Sequence, residues 1–240
     1  MAVILPFEKD FYKNSGLDVE YVGHPLMDNI HDNTDKDPAE IDNIWKGSPI
    51  VGILPGSRNE EIKTLLPVMI EAAENLLTDY PDLQCILPLA PTVSADLIDS
   101  IIADSPVDIK ISQGDIYKAL GACDIAFVAS GTATLETSIM EVPMIILYRV
   151  SPLSYWIGKK VINVSHVGLV NLVAGEEIVP ELIQDDANPD ALTHSAVNIL
   201  EDDKLRENMV ISLRKIKERL GKGGASEKTA KMALEMMGKA

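Results

Sequence analysis

Cysteine, basic charge and long apolar runs are all scarce in this sequence, and each shortage removes a class of protein. Only two cysteines occur, Cys85 and Cys123, both inside apolar runs. Buried, reduced thiols are expected, and neither a disulfide framework nor a cysteine metal site is. The chain sets 21 Lys and Arg against 37 Asp and Glu, a net charge of −16. That balance argues against nucleic acid as a partner and offers no general attraction to an anionic membrane. No apolar run reaches the roughly 18 residues of a membrane-spanning helix. The histidines, His24, His31, His166 and His194, are scattered, with no two at ligand spacing, so no metal site is expected. No GxGxxG fingerprint follows the first strand, and no GxxxxGK followed by Ser or Thr occurs. Dinucleotide dehydrogenase and P-loop readings lose their main support.

What is present is a chain of 240 residues, 46% of them hydrophobic, enough for one large domain or one domain plus a piece of another. The N-terminus, Met1-Ala-Val-Ile-Leu-Pro-Phe-Glu8, has no signal-peptide pattern. It reads as a strand entered at its first residue, as in a fragment. Strands are expected at Ala2 to Leu5 and Val19 to Val22, with a helix from Phe7 to Asn14 between them. Asp28 to Lys46 is acidic and irregular, with a short helix starting near Pro38. Strands then alternate with helices: strands at Ile50 to Leu54, Gln84 to Leu89, Val107 to Ile111, Ile125 to Ala129 and Pro143 to Tyr148. The helices between them are Glu60 to Thr78, Ser94 to Ala103, Ile116 to Ala122 and Ala133 to Met140. Pro67 falls inside the first of these, where a kink is expected. Near-continuous apolar strands in this order imply an α/β fold, a Rossmann-like parallel sheet with helices on both faces. Ser154 to Val161 is amphipathic, Val167 to Gly175 reads as a loop, and three helices end the chain, Pro189 to Leu200, Asp203 to Leu220 and Ala225 to Met237.

In such a sheet ligands bind beyond the carboxyl ends of the strands. After Ile50 to Leu54 comes Pro55-Gly56-Ser57-Arg58-Asn59-Glu60-Glu61. Ser57 and Asn59 can cap the next helix, whose start beside Arg58 forms an anion site suited to phosphate, or an ordinary strand–turn–helix corner. After Ile125 to Ala129 comes Ser130-Gly131-Thr132-Ala133-Thr134-Leu135-Glu136. Small residues there let a ligand approach the backbone. The hydroxyls and helix N–H groups can hold phosphate oxygens or cap the helix, and Glu136 can accept from a ribose diol. The third such end is Tyr148-Arg149-Val150-Ser151-Pro152. His24 before a proline suits loop packing or catalysis. The pairs Asp185-Asp186 and Asp202-Asp203 suit solvated helix starts better than a metal. Trp156, Lys159 and Lys160 suit either a lipid contact or partial burial.

Taken in order, Ile4-Leu-Pro-Phe-Glu8, Tyr21-Val-Gly-His-Pro-Leu26, Leu54-Pro-Gly-Ser-Arg58, Ala129-Ser-Gly-Thr132 with Leu135-Glu136, Pro143 to Arg149, Val170-Asn-Leu-Val-Ala-Gly175 and Pro180-Glu-Leu-Ile-Gln184 resemble the C-terminal part of the lipid-A-disaccharide synthase family. The resemblance runs through the whole chain. It implies a GT-B glycosyltransferase with two Rossmann-like domains and the site between them. The reaction it implies transfers 2,3-diacylglucosamine from its UDP donor to 2,3-diacylglucosamine 1-phosphate, with inversion and without a metal or other cofactor. The implied place is the cytoplasmic side of the inner membrane in Gram-negative bacteria, with peripheral membrane contact. By motif, Ser57 and Arg58 resemble donor phosphate contacts, Ser130, Gly131 and Thr132 the diphosphate loop, and Glu136 the ribose ligand. Arg149 and Asn171 resemble the donor-site wall, and Gln184 a position near it.

On this basis residues 1–30 are expected to be a remnant of the N-terminal acceptor domain and 31–48 a linker. Residues 49–220 then form the UDP-sugar donor domain, and 221–240 a helix packing toward the N-terminal domain. The family's general base lies on an N-terminal-domain loop with no counterpart here, so no catalytic residue is assigned, and lipid acceptor binding needs the missing domain. An exposed apolar face would promote homo-oligomers. The alternatives are a UDP-sugar epimerase-like enzyme and a non-catalytic nucleotide-binding fragment.

Overall fold

The computed structural model describes residues 1–31, 48–151, 155 and 166–238. The first elements are β1 (Ala2–Val3), α1 (Glu8–Phe11), β2 (Glu20–Tyr21) and α2 (Leu26–His31). Next come β3 (Ile50–Leu54), α3 (Asn59–Leu76), β4 (Gln84–Pro88), α4 (Ala95–Ile102), β5 (Asp108–Ser112) and α5 (Ile116–Gly121). They are followed by β6 (Ile125–Ala129), α6 (Thr132–Ile139), β7 (Met144–Tyr148), α7 (Leu169–Ala174), β8 (Glu181–Ile183) and a 3-10 turn, Gln184–Asp186. Helices α8 (Pro189–Glu201), α9 (Asp203–Leu220) and α10 (Ala225–Met236) close the order. These elements form two units, one of residues 38–213 and one assembled from both ends of the chain, 1–37 and 214–240.

The larger unit is built on a six-stranded, all-parallel sheet in the order β5-β4-β3-β6-β7-β8. Every residue of β6 is buried, as are all but the first of β3 and all but the last of β7. Strands apolar on both faces must be covered on both faces, and the helical connections between parallel strands do this. Helix α3 buries Ile62, Leu65, Leu66, Met69, Ala73 and Leu76, the helical stripe expected from their spacing. It runs unbroken through Pro67, which lies on the exposed face with Lys63 one turn before it. The strand order reverses direction at β3 and β6, the arrangement that places a ligand crevice at their carboxyl ends.

The smaller unit pairs β1 with β2 in parallel. Gly23, at φ +97°, carries the chain past Leu220 into His24. The His24 N–H donates to the Leu220 carbonyl at 2.9 Å, and Nδ1 accepts from the Leu26 N–H at 3.2 Å. Burial lowers the His24 pKa, opposed by the Glu8 charge. The Asp28 carboxylate accepts from the N–H groups of Ala225 and Ser226 at 3.1 and 3.0 Å and from the Ser226 hydroxyl at 2.7 Å. It thereby caps α10, whose own N-cap, Gly224, has no side chain to offer. Those bonds lower the Asp28 pKa. Ile4, Phe7, Phe11 and Leu17 are exposed in this unit.

Several expectations are corrected. The N-terminal elements are shorter: β1, α1 and β2 stop well inside the stretches Ala2 to Leu5, Phe7 to Asn14 and Val19 to Val22. Helix α2 begins where irregular chain was expected. The expected loop Val167 to Gly175 contains α7, which buries Val170 and Val173 one turn apart and ends on Gly175 at φ +80°. Strand β8 was not anticipated at all; three half-buried residues give too short a pattern to read. The short helix near Pro38, nearly all of the 31–48 linker and the Ser154 to Val161 stretch, apart from Tyr155, lie outside the described residues.

Candidate functional site

Strands β3 and β6 pair in a register that sets Leu54 against Val128, so the chain leaves both strands at the same level. The two turns that follow line one cleft of about 430 Å³. One wall carries Gly56, Ser57, Arg58 and Glu61, and the facing wall Ser130, Gly131, Thr132, Ala133 and Glu136. Leu89, Pro91 and Ile116, with Gly114, add apolar and backbone surface from the β4 and β5 ends. Six of the residues singled out from sequence are thus brought together: Ser57, Arg58, Ser130, Gly131, Thr132 and Glu136. Arg149, Asn171 and Gln184 do not line the cleft.

The helix starts work differently from the sequence expectation. Neither Ser57 nor Asn59 caps α3; the N-cap is Arg58, without a side-chain cap bond. Glu61, at the third helical position, reaches back instead, accepting from the Ser57 N–H at 3.3 Å and from Arg58 Nη1 at 2.6 Å. Gly56 makes this possible: its φ is +105°, and a Cβ there would overlap the Glu61 carboxylate. The Arg58 side chain is 80% exposed, so its pair with Glu61 is a surface ion pair, of the kind that contributes about 0–1 kcal/mol. Arg58 therefore meets solvent with donors to spare.

On the facing wall, Ser130 is tied down twice. Its N–H donates to the Leu147 carbonyl and its hydroxyl to the Val167 carbonyl, both at 2.9 Å. The expected hydroxyl donation from Ser130 to a phosphate is thus replaced by a structural bond. The Thr134 N–H donates to the Gly131 carbonyl at 3.1 Å, so the donors left at this wall are the N–H groups of residues 131–133. Gly131, the N-cap, has extended backbone, and a Cβ there would meet nothing within 4 Å. Neither strain nor crowding requires glycine at this point. Burial raises the Glu136 carboxyl pKa. The Tyr117 hydroxyl is buried with no hydrogen-bond partner among the described residues. Burial, then the charges of Glu136 and Asp115, push it up to about 12.

The remaining three residues form a neighbouring network. Gln184 sits at φ +56° and pairs with the backbone of Val150, accepting at 2.8 Å and donating at 3.0 Å. Arg149 Nε donates to the Gln184 carbonyl at 3.3 Å. Asn171 is wholly buried and saturated. It accepts from the N–H groups of Ile178 and Val179 at 2.9 and 3.2 Å, and donates to the Val179 carbonyl at 2.9 Å and to Glu181 at 2.8 Å. With no hydrogen-bonding capacity left for a ligand, it holds the 175–179 turn against α7. Tyr117 was not singled out in the sequence; Glu61 was read there only as part of the turn after Ile50 to Leu54 and Glu181 only as part of the Pro180 to Gln184 stretch, neither with a partner of its own.

Among the described residues no group of three or more His, Cys, Asp or Glu is placed to hold a metal, and no helix is long and apolar enough to cross a membrane. Asp202 accepts from the Leu205 N–H at 2.9 Å and starts α9, as its pairing with Asp203 suggested.

A sequence model of the family described as lipid-A-disaccharide synthetase matches residues 1–236. Lipid-A-disaccharide synthases of Geobacter sulfurreducens and Geobacter metallireducens are 44% and 41% identical over 240 residues, which is all of this chain and 62% of each relative. The chain therefore spans less than two thirds of the length of these curated relatives. Among solved structures, Staphylococcus aureus MnaA in complex with UDP aligns at a TM-score of 0.68 and 16% identity, over 99% of this chain and 59% of that one. A glycosyltransferase of Rickettsia africae aligns at 0.63 and 14%, over 100% of this chain and 64% of that one. At these identities the structural likeness speaks for the fold alone.

Proposed function

Because this chain belongs to the lipid-A-disaccharide synthetase family, we propose that it supplies the donor half of a glycosyltransferase of lipid A biosynthesis. The reaction moves 2,3-diacylglucosamine from its UDP donor to 2,3-diacylglucosamine 1-phosphate, giving the disaccharide phosphate and UDP. The observation that carries this reading is the single cleft at the ends of β3 and β6, where Arg58 and the first turn of α6 face one another.

The chemistry follows from charge. As the glycosidic bond to the donor breaks, negative charge grows on the β-phosphate of the leaving UDP. Fixed N–H dipoles of residues 131–133 stabilise that charge without reorganising, and the Arg58 guanidinium adds a full positive charge. To bind the diphosphate, Arg58 exchanges its weak surface pairing with Glu61 for charge-assisted bonds to phosphate, which are the stronger of the two. Glu136 accepts from the ribose hydroxyls, and the apolar side formed by Leu89, Pro91 and Ile116 covers the nucleoside. Arg149, Asn171 and Gln184 support the adjoining wall from behind. The base that takes the acceptor's hydroxyl proton is assigned to the part of the relatives' length that this chain does not span, as are the acceptor site and contact with the membrane's inner face.

The epimerase alternative finds support only in folds shared at 16% identity or less, and the family match covers residues 1–236. Calorimetric titration with UDP tests the proposal. The chain binds UDP, and Arg58→Ala weakens binding by roughly ten- to a hundredfold, the loss of one to two strong charged contacts. Absence of UDP binding, or an unchanged affinity in Arg58→Ala, overturns it.

A further inference from the structure

Outside the cleft, one carboxylate is held with unusual completeness. Glu181, the first residue of β8, accepts from the Val167 N–H at 2.8 Å, the Gly168 N–H at 2.9 Å and Asn171 Nδ2 at 2.8 Å. Gly168 is the N-cap of α7 and has no side-chain cap, so a neighbouring strand provides the negative charge that this helix start favours. The carbonyl of Val167 and the N–H of Gly168 belong to one peptide group. That carbonyl accepts the Ser130 hydroxyl at 2.9 Å. A continuous chain thus runs from the Ser130 hydroxyl, across a single peptide plane, to a carboxylate. Bonds in series polarise one another, and the peptide is closely packed, since a Cβ on Gly168 would overlap Ile146 and crowd Glu181. Ser130 precedes Gly131, so the turn that presents the cleft's N–H groups is pinned at its first residue by this chain.

We propose that Glu181 is a positioning residue for the nucleotide cleft, acting through the Val167–Gly168 peptide and Ser130 to fix the turn that receives a nucleoside diphosphate. This rests on the donor-cleft reading above. Glu181 touches no ligand. Its carboxylate sets the orientation of one peptide, that peptide sets the Ser130 hydroxyl, and the hydroxyl sets the N–H groups of residues 131–133. Glutamine at 181 keeps the shape and, with its amide oxygen at the Oε1 position, still accepts from the Gly168 N–H and Asn171, but it sets an NH₂ against the Val167 N–H, so that bond is lost together with the negative charge that polarises the chain.

The test is a double-mutant cycle read by UDP calorimetry on the wild type, Ser130→Ala, Glu181→Gln and their combination, with Arg58→Ala/Glu181→Gln as control. Each single change at 130 or 181 weakens UDP binding by about tenfold, the scale of one charge-assisted hydrogen bond. The pair together is no worse than twice the larger single loss, whereas losses at 58 and 181 multiply. The Gly131 amide resonance of the UDP-free chain shifts in Glu181→Gln, which a role confined to α7 would not produce. Multiplying losses at 130 and 181, or an unchanged UDP affinity in folded Glu181→Gln, overturns the proposal while leaving the cleft reading intact. A wild type that binds no UDP overturns the cleft reading itself, and this inference with it. Should Glu181→Gln fail to fold, Glu181→Asp takes its place in the cycle: a loss that does not multiply with Ser130→Ala, with a shifted Gly131 amide, upholds the proposal, and unchanged affinity overturns it.

Discussion

Replacing Asn171 by leucine separates two accounts of that residue. Its amide is fully buried and makes four hydrogen bonds. Leucine, of similar volume, strands three backbone groups: the N–H and C=O of Val179 and the N–H of Ile178. Val179 is buried, whereas Ile178 is half-exposed and can recover a bond to water. Two fully orphaned groups at about 1–3 kcal/mol each, plus a partial loss at the third, sum to about 3–5 kcal/mol. A domain stable by about 5–15 kcal/mol survives that, with a melting temperature lowered by roughly 10 °C for a unit of this size. Asn171→Asp should be at least as damaging near neutral pH. It loses both donated bonds and sets a second carboxylate at the position now 2.8 Å from Glu181. Thermal and urea unfolding by circular dichroism measure the loss, with UDP titration of the folded variant alongside. A leucine variant that melts within about 2 °C of wild type yet has lost UDP binding would refute the reasoning, since the amide would then be facing a ligand and not a saturated turn.

Three other outcomes are expected. Gly131→Ala folds, at a stability cost below about 1 kcal/mol, but binds UDP at least roughly tenfold more weakly, because its methyl enters the space where phosphate meets backbone; calorimetry and a melt decide this together. Burial holds the Glu136 carboxyl above its ordinary 4.5, so the folded chain keeps that proton more firmly than the unfolded one. Its share of stability is therefore full below 4.5 and is lost as pH rises through the raised value; Glu136→Gln flattens that decline in a pH series of urea melts. Burial pushes the thiols of Cys85 and Cys123 upward, the latter to about 12. Neither should react with a disulfide reagent at pH 8 until the chain is unfolded.

The centre of the sheet was legible because β3, β6 and β7 are buried on both faces. Ile50–Leu54 and Ile125–Ala129 are apolar enough to be bounded to the residue, and the turns after them carry small residues that stand out against the runs. The edge strand Glu181–Ile183 leaves no such trace: it is three residues long, half-buried, and opens with a charge. Asn171 and Ser130 show a second limit. A polar residue between apolar ones marks a special position, but spacing does not tell whether its bonds go to a ligand or to the protein's own backbone. Both are bonded internally here, and only coordinates reveal the carboxylate that links them. Glu61 illustrates a third. Glutamate in the first turn of a helix is ordinary, and its hold on Arg58 and Ser57 depends on a glycine backbone conformation that the letter code allows without requiring.

The smaller unit joins both ends of the chain, with the Tyr21 hydroxyl bonded to the Arg219 carbonyl across 198 positions of sequence. During synthesis residues 1–37 leave the ribosome long before residues 214–240, with which they pack, exist. They must wait without those partners while the sheet of the larger unit is made behind them. Chaperone attention and proteolytic nicking should therefore concentrate on residues 1–37 until residues 214–240 are made, and loss of the later segment would first unsettle the earlier one.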